Sequence, residues 1–465
     1  MKRKGVGRLE AVKRGIDLLG GLIWGPYMLV FLSGLGVWLT LRTGFFQFRR
    51  LPEMFRQTLG SLGRKRGPGE EKRRQGISPF QAVSTALAGT LGTGNVAGVA
   101  TAIVAGGPGA IFWMWVSALF GMMTKYAEVA LAVRYRERSP DGHWQGGPMY
   151  YIAKGLRAPW LGALFSVFCV LASFGIGNAT QVNAMAQGLS DTFGVAPSAT
   201  GLVCAALVFL VVIGGISRVG KIAQVLVPAM ALLYLGGGCA VLIRNAAALP
   251  EALRLIFGCA FRPQAVFGGG VGYSVALAMR YGVSRGIFSN EAGLGSAPIA
   301  HASADAVGPV EQGMWGIFEV FADTVVMCGF SGLIILSSGD LWRSGLNGAA
   351  LTAAAFTRAL GPAGGWVVSV SMVFFAFSSI LGWSCYGECA LDWLTGGGKG
   401  WRTAYRLGYV AVVALAAPAG IGLVWQLADV LNGLMAIPNL LAVTVLSGEV
   451  VRMTRDWSPG SRLRR

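Results

Sequence analysis

The chain has 465 residues, of which 54% are hydrophobic and 13% are charged, and its formal net charge is +18. A soluble domain usually carries about 25% charged residues. The composition therefore excludes an ordinary soluble domain and favours a helical bundle in lipid, where the 70 glycines let helices pack closely. The basic residues fall between apolar runs and form no domain of their own, which argues against nucleic acid as a partner and indicates cytoplasmic loops.

Apolar runs long enough to cross a bilayer occur along the whole chain. About 20 helical residues span the hydrocarbon core. Runs of this kind lie at about residues 18–41, 80–105, 110–134, 159–188, 198–215, 222–243, 266–283, 313–338, 365–384, 403–424 and 427–448. The sequence therefore predicts an all-α polytopic membrane protein with eleven transmembrane helices, in the plasma (inner) membrane and with the lipid bilayer as a partner.

The first run is predicted to be a retained membrane helix rather than a signal peptide. The stretch Gly44–Leu62 then alternates aromatic and aliphatic residues with arginines, which is typical of an amphipathic helix in the cytoplasmic interface. Residues 63–76 are rich in glycine, proline and charge and are expected to form a flexible linker. Residues 1–79 thus form an N-terminal unit that precedes the main helical bundle.

The placement of lysine and arginine sets the predicted orientation. The segment 42–76 is strongly basic, and further basic residues lie in loops of the same parity, Arg285 among them, and in the tail. By the positive-inside rule these segments are cytoplasmic, so the N-terminus lies outside and the C-terminus in the cytoplasm. The basic residues at 1–14 argue for the opposite, and one span more or fewer would bring both termini to the same side.

The second run contains small and polar residues where a membrane helix is usually apolar. Gly92, Thr93, Gly94 and Asn95 lie in its middle. Each glycine costs about 1 kcal/mol relative to alanine in a helix interior. Glycines alone would equally fit a close helix–helix contact, but an Asn95 amide without a partner is costly at this depth. An interrupted helix here would offer free amides to a carboxylate and free carbonyls to Na⁺.

A second glycine cluster, Gly268–Gly270, lies in the seventh run, five runs after the first. The runs then form two sets of five, at 80–243 and 266–448, joined by 244–265 and followed by a basic tail at 449–465. Because each set has an odd number of spans, the second set is inverted relative to the first. Paired interrupted helices in inverted halves indicate the binding site of a secondary transporter.

Six motifs, in the correct order, resemble the alanine/glycine:cation symporter family, whose fold is similar to the leucine-transporter type. They are Gly92–Gly98, Gly106–Trp115, Thr124–Glu128, Gly146–Tyr151, Phe288–Pro298 and Leu381–Glu388. The resemblance implies a five-plus-five inverted repeat with one additional N-terminal helix. It also implies alternating-access symport of a small neutral amino acid such as alanine or glycine, with Na⁺ as the coupling ion and no cofactor. A larger amino acid, or coupling to H⁺, is the alternative.

The resemblance also implies which residues form the site. Substrate-binding residues are expected to be Gly92, Thr93, Gly94, Asn95, Gln181 and Gly270. Sodium-binding residues are expected to be Ala88, Leu91, Asn95, Ser378, Ser379, Asp323 and Thr324. Backbone amides at the break would hold the substrate carboxylate, and oxygen ligands suit a hard cation.

Gly270 departs from the pattern that the resemblance implies. The seventh-run break in the family often reads Gly-Gly-Phe, with the aromatic ring against the substrate side chain, whereas this chain has Gly268–Gly270. A phenylalanine buries about 150–250 Å². We therefore expect a roomier pocket than in a strict alanine/glycine carrier.

Four polar residues elsewhere are candidates for gating. Lys125 and Glu128 lie three residues apart near the cytoplasmic end of the third run. They are expected to form an ion pair with each other, in which the lysine side chain extends towards the membrane interface. The alternative is that they gate the inner vestibule. Asn290 and Glu291 follow the seventh run and Ser289. A helix cap is the simpler interpretation of these residues, and gating of the cytoplasmic side is the alternative.

Other classes of function have less support in the sequence. No Walker A motif or large soluble domain is present to drive an ATP-dependent pump. A channel is usually built around a shared pore with repeated filter loops, which a single pair of interrupted helices does not resemble. An enzyme needs convergent nucleophiles, bases or metal ligands. The histidines, His143 and His301, are interpreted as isolated loop residues without a role in proton coupling.

Overall fold

The computed structural model describes residues 14–16, 18–62, 77–139, 142–262, 274–305, 308–420 and 422–459. Most of these residues are helical. The α-helices are α1 (Pro26–Arg42), α2 (Phe46–Arg49), α3 (Leu51–Gln57), α4 (Leu59–Leu62), α5 (Pro79–Thr90), α6 (Ala97–Gly106), α7 (Gly109–Arg134), α8 (Pro148–Gly155), α9 (Pro159–Phe174), α10 (Thr180–Phe193), α11 (Pro197–Val212), α12 (Gly215–Arg244), α13 (Leu249–Phe261), α14 (Val275–Asn290), α15 (Ala297–Ala302), α16 (Pro309–Val320), α17 (Gly329–Ser337), α18 (Gly348–Leu360), α19 (Pro362–Thr395), α20 (Lys399–Ala416), α21 (Gly422–Val445) and α22 (Ser447–Asp456).

Shorter elements complete the chain. The 3-10 helices are Thr93–Asn95, Ala246–Ala248 and Gly339–Arg343, and the π-helical turns are Gly175–Ala179 and Phe321–Cys328. Strands β1 (Glu137–Arg138) and β2 (Trp144–Gln145) form a small antiparallel hairpin between α7 and α8. The π-helical turns continue one helix into the next, so α9–α10 and α16–α17 are each a single long span.

Seven helical stretches of the described chain are long and apolar enough to cross a membrane, or eight if the bent pair at 79–106 is one span. The seven are Arg14–Arg42, Gly109–Arg134, Pro159–Phe193, Gly215–Arg244, Pro309–Ser337, Pro362–Thr395 and Val424–Val445. All eight coincide with predicted runs. The helices at the other three predicted positions, α11, α14 and α20, are shorter or less apolar. The chain is therefore a polytopic helical membrane protein, and the count of eleven stays a prediction.

The second predicted span is interrupted at the glycine cluster, as expected. Its first half, α5, begins with a capping box in which Ser78 and Gln81 bond each other's backbone amides, and the two halves are bent by 60°. The glycines also serve packing. A Cβ added at Gly382 of α19 would lie 2.7 Å from the backbone nitrogen of Gly89, so the backbones of α5 and α19 are in direct contact.

Another interrupted helix lies between α14 and α15. Glu291, Gly293 and Gly295 have φ values of 54°, 94° and 83°, in the left-handed region that glycine adopts at little cost, and they end α14 within the bundle. The predicted second break at Gly268–Gly270 falls in 263–273, outside the described residues. The observed break is therefore one that the sequence interpretation assigned to a loop.

The predicted seventh run, 266–283, ends too early. α14 continues to Asn290 and includes Arg285, so the assignment of Arg285 to a cytoplasmic loop is wrong. Its guanidinium lies 5.7 Å from the centroid of the Phe288 ring, and a cation–π contact of this kind lets a positive charge sit within a helix bundle. Hydropathy alone could not anticipate this, because Arg280, Ser284 and Arg285 lower the mean hydropathy towards the end of α14.

The order of elements after the first interruption recurs after the second. A long helix follows each one, of 26 residues at Gly109–Arg134 and 29 at Pro309–Ser337. A short helix, α8 or α18, then precedes a longer span, of 35 residues at Pro159–Phe193 and 34 at Pro362–Thr395. A shorter helix, α11 or α20, and one more long helix complete each series.

The predicted amphipathic helix at Gly44–Leu62 is divided into the three short helices α2, α3 and α4. Pro52 lies in the first turn of α3, the helical position that tolerates proline best. The apolar side of the segment contacts the bundle, because Phe46 and Met54 are buried and Phe55 packs edge-on against Phe321. The predicted linker at 63–76 lies outside the described residues.

Candidate functional site

The interruption after α5 releases two backbone carbonyls. In a continuous α-helix the amide of Gly92 would bond the carbonyl of Ala88, but here it donates to Oδ1 of Asn95 at 3.0 Å. The amide of Asn95 likewise donates to the carbonyl of Gly92 at 3.3 Å rather than to that of Leu91. The two carbonyls that the resemblance assigns to a cation are therefore freed from their usual helical partners.

The side chain of Asn95 connects the break to the second half of the chain. It is fully buried, and its Nδ2 donates to Oδ1 of Asp323 at 2.6 Å and to Oγ of Ser289 at 3.1 Å. Because Oδ1 also accepts from Gly92, one amide caps the first break and reaches both α14 and the π-helical turn at 321–328. The expectation that this buried amide would need partners is met.

A carboxylate with hydroxyl partners forms the centre of this cluster. The hydroxyl of Thr324 donates to Oδ2 of Asp323 at 2.7 Å, and Ser289 donates to Oδ1 at 3.1 Å. Asn290 in turn donates to Oγ1 of Thr324 at 3.0 Å. Each of these bonds to Asp323 has the carboxylate as acceptor, which suits its ionised form. Carboxylate and hydroxyl oxygens are ligands that hard cations prefer.

A second set of oxygens lies where α5 meets α19. Oγ of Ser379 is buried without a hydrogen-bond partner among the described residues, and a Cβ added at Gly92 would lie 2.7 Å from it. Ser378 is also buried, but its hydroxyl donates to the carbonyl of Phe375 at 2.9 Å. An unpartnered buried hydroxyl is unfavourable. Ser379 is therefore better placed than Ser378 to coordinate a cation beside the released carbonyls.

A small cavity of about 20 Å³ lies at the break. It is lined by Gly89, Thr90, Gly92, Gly94, Ile176, Gln181, Phe288, Ser289, Glu291, Trp383 and Asn432. By this measure a cavity needs roughly 10–15 Å³ to hold one water molecule. The space is therefore sufficient for about one water and must expand before an amino acid can bind.

Gln181, which the resemblance assigns to the substrate, lies on the wall of this cavity. It follows the π-helical turn at Gly175–Ala179, and its Nε2 donates to the carbonyl of Ile176 at 3.1 Å. Its Oε1 is buried with no partner among the described residues. Close packing fixes the wall, since a Cβ added at Gly177 would lie 2.2 Å from the Cβ of Trp383. The free Oε1 is available to a hydrogen-bond donor on a ligand.

Several residues that line the cavity were not assigned to the site from the sequence, among them Phe288, Ser289, Trp383 and Asn432. Phe288 and Trp383 lie within motifs that carry the resemblance, yet the motifs do not say which side chain faces the cavity. Ser289 was interpreted only as part of a helix cap. Asn432, whose Oδ1 has no partner in the described part of the chain, had a usable signal, because it is a polar residue inside an apolar run. Gly270 lies outside the described residues.

The predicted local pair of Lys125 and Glu128 is not formed. Lys125 is fully buried and does not reach the interface. Its Nζ lies 3.5 Å from Oε1 of Glu319. Oε1 of Glu128 instead accepts from Nδ2 of Asn439, which also donates to the carbonyl of Gly293. The sequence interpretation failed because spacing along one helix reveals neighbours on that helix and not partners on other helices.

The helix-cap interpretation of Ser289, Asn290 and Glu291 holds only in part, since Glu291 is the C-terminal cap of α14 and Oδ1 of Asn290 accepts from the backbone amide of Ala292 at 2.9 Å. Ser289 and Asn290 end α14 rather than begin a helix, and their side chains bond Asp323 and Thr324. Oε2 of Glu291 accepts from Ser296. Glu291 is buried and lines the cavity, so any gating by this residue would act at the centre of the bundle rather than on a cytoplasmic loop.

A larger cavity of about 240 Å³ lies further along α19. Its lining includes Ser384, Glu388 and Asp392 of that helix, together with Ser303. Arg406 donates to both oxygens of Glu388 at 2.6 Å. This cavity begins five residues beyond Ser379 and reaches towards the end of α19 that is predicted to be cytoplasmic.

The chain is similar to known transporters over nearly its whole length. The model of the sodium:alanine symporter family matches residues 9–463. The sodium/alanine symporter AgcS of Methanococcus maripaludis is 46% identical over 450 residues, which cover 95% of this chain and 96% of that protein. The probable sodium/glutamine symporter GlnT of Bacillus subtilis is 38% identical over 444 residues, which cover 95% of this chain and 90% of that protein.

Solved structures of transporters also align with the chain. A manganese transporter of Eremococcus coleocola aligns with 13% identity and a TM-score of 0.49, covering 84% of this chain and 81% of that one. The family match and the high identity to its members over nearly the full length decide the assignment. The chain is a transporter rather than an enzyme, and it belongs to the sodium:alanine symporter family.

Proposed function

We propose that the protein couples the inward movement of Na⁺ to the uptake of a small neutral amino acid, such as alanine, by alternating access. The observation that carries this proposal is the interrupted helix at Gly92–Asn95. This segment releases two backbone carbonyls, borders the small cavity and is bonded through Asn95 to the carboxylate of Asp323. A cation site and a substrate site would therefore meet at one segment. Because one short segment belongs to both sites, occupancy of one changes the other, which is the requirement for coupling.

The substrate would bind in the cavity at the break. Amides at the start of α6 suit a carboxylate, since a helix N-terminus carries a partial positive charge. The free Oε1 of Gln181 would accept from the ammonium group. Phe288 and Trp383 would enclose the side chain, and their size favours a small one. The cavity holds about one water molecule, so the proposal requires the surrounding helices to separate during each cycle.

Two cation sites are proposed from the two sets of oxygens. The first uses the carboxylate of Asp323 with the hydroxyl of Thr324 and the amide of Asn95. The second uses the carbonyls of Ala88 and Leu91 with the hydroxyl of Ser379, and Ser378 as a further candidate. Hydroxyl, carbonyl and carboxylate oxygens suit Na⁺ in both, and H⁺ as the coupling ion is the alternative.

We also propose the finer architecture that this mechanism needs. Eleven spans would form a five-plus-five inverted repeat behind one N-terminal helix, with the N-terminus outside and the C-terminus in the cytoplasm of a plasma (inner) membrane. The recurrence of a broken helix, a long helix, a short helix and a second long span supports the repeat. In this repeat the partner of the first break is the one at 291–296.

Uptake by purified protein in proteoliposomes tests the proposal. Labelled alanine, glycine and glutamine would each be offered under an imposed Na⁺ gradient, an imposed H⁺ gradient and no gradient. Saturable alanine uptake that requires the Na⁺ gradient and is inhibited by glycine would support it. Uptake that proceeds equally without a cation gradient, or a non-saturating flux, would overturn it. Na⁺-driven uptake that prefers glutamine would support symport but contradict the proposal of a small substrate.

A further inference from the structure

A buried histidine lies close to the proposed cation site. His301 is fully buried in α15, and its Nε2 lies 2.9 Å from Oε2 of Glu319. Nε2 of Gln312 lies 2.9 Å from its other ring nitrogen, Nδ1. Lys125 contacts the other oxygen of Glu319 at 3.5 Å. The interpretation of His301 as an isolated loop residue is therefore wrong, since it belongs to a buried network of four side chains.

Both ring nitrogens of His301 have a hydrogen-bond partner in this network. The amide nitrogen of Gln312 can only donate, so Nδ1 of His301 accepts. With the amide in this orientation, Nε2 donates to Glu319. The Oε1 of Gln312 is buried with no partner among the described residues. Rotation of this amide by half a turn would present Oε1 to a proton on Nδ1, so the network contains an acceptor for a second proton on the ring.

The charges around the network favour such a proton. Four buried carboxylates, those of Glu128, Glu291, Glu319 and Asp323, act electrostatically on one another, and the three glutamates also act on Lys125. Asp392 is buried as well but is paired with Arg402. Four carboxylates against one ammonium leave a net charge of −3 when all are ionised and His301 is neutral. Burial of unbalanced charge is very unfavourable, so cations or protons must balance it. Histidine is the side chain whose charge ordinarily changes near neutral pH.

We propose that His301 is a proton-binding site and that its occupancy opposes Na⁺ binding at Asp323. Glu319 and Asp323 are four residues apart on one continuous span, so both act on the same local potential. A proton on His301 pairs with Glu319 and makes that potential less negative, which weakens the attraction of a cation to Asp323. The coupling is reciprocal, so Na⁺ also disfavours the proton. This inference rests on the proposed Na⁺-coupled function.

Several other titratable groups lie near His301, and none of them is a histidine. Those on α16 and on the elements packed against α15 are Lys125, Tyr126, Glu128, Arg134, Glu311, Glu319, Cys385, Tyr386, Glu388, Cys389 and Asp392, with Glu291 in the preceding break. Arg136, in the loop after α7, donates to the carbonyls of Ala302 and Ala304. Helix α5 and strand β2 bring none. Ser303, two residues beyond His301, lines the 240 Å³ cavity.

The test is the pH dependence of Na⁺ activation in proteoliposomes. For the unaltered protein, the Na⁺ concentration that half-saturates alanine uptake should rise about fivefold or more between pH 8 and pH 6, within the usual range of coupling between sites. His301→Gln keeps an amide donor for Glu319 but cannot titrate, so the dependence should be clearly weaker, and an unchanged dependence in this variant would overturn the inference. Gln312→Leu removes the acceptor for the second proton and should shift the dependence to lower pH.

The other histidine provides a matched control. His143 is exposed and lies in the loop between β1 and β2, and His143→Gln should keep the full pH dependence. A half-saturating Na⁺ concentration that is equal at pH 6 and pH 8 in the unaltered protein would overturn the inference, as would loss of the dependence in His143→Gln. If Na⁺ does not activate uptake at any pH, the proposed function itself fails. Na⁺-dependent thermal stabilisation at both pH values gives a readout for variants that transport poorly.

Discussion

Alanine in place of Gly92 should interfere with the second cation site while leaving the fold in place. The added Cβ would lie 2.7 Å from Oγ of Ser379 and 3.5 Å from Oε1 of Gln181. The first distance is too short for contact, so the serine hydroxyl must leave the position beside the released carbonyls. Overpacking of this kind typically costs about 1–3 kcal/mol. Expressed as affinity, that is roughly a 5- to 150-fold rise in the half-saturating Na⁺ concentration.

The same helix supplies a matched control for this substitution. A Cβ added at Gly98 meets nothing within 4 Å, so Gly98→Ala tests the effect of one more alanine in the broken span without the contact. Na⁺ activation of alanine uptake would be measured for both variants and for Gly92→Ala combined with Ser379→Ala. If the contact is the cause, Gly92→Ala should cost much less once Ser379 lacks its hydroxyl. Equal Na⁺ activation in Gly92→Ala and Gly98→Ala would refute the reasoning.

Three further predictions follow from the described contacts. Ser379→Ala should weaken Na⁺ activation more than Ser378→Ala, because the hydroxyl of Ser378 already bonds a carbonyl; equal effects on the half-saturating Na⁺ concentration would contradict this. Lys125→Met should lower the melting temperature strongly, since breaking a buried ion pair costs about 3–5 kcal/mol. Adding Glu319→Gln should restore much of the loss, and no restoration would show that the pair is not the cause. Gln181→Leu should raise the KM for alanine several-fold, and an unchanged KM would exclude Gln181 from the substrate site.

The first break could be predicted from sequence because its signal is local. Four glycines and one amide within a single apolar run conflict with a plain membrane helix, whatever surrounds them. The second break could not be recognised in this way. Residues 291–296 follow two arginines in α14 and contain serine, glycine and glutamate, a composition that is also typical of a surface loop. Only the packing of α14 and α15 within the bundle places them at its centre.

The partners of buried charges were the least predictable part of the site. Lys125 and Glu319 are 194 positions apart, and no pattern in one helix indicates a residue so distant in the chain. His301 presents the same difficulty, because a histidine between small residues has the same local sequence on a surface as in a core. Gln181 was assigned only through the family resemblance, which identifies a position without giving its contacts.

The amide of Asn95 has a consequence for biogenesis. It bonds Ser289 and Asp323, which follow it by 194 and 228 positions. A ribosome therefore delivers the broken helix to the membrane long before either partner has been synthesised. Until then the amide has only its own segment, or water at the insertion machinery, to satisfy it. The interruption can reach its final form only when the second half of the chain arrives, so the transport site is completed late in assembly.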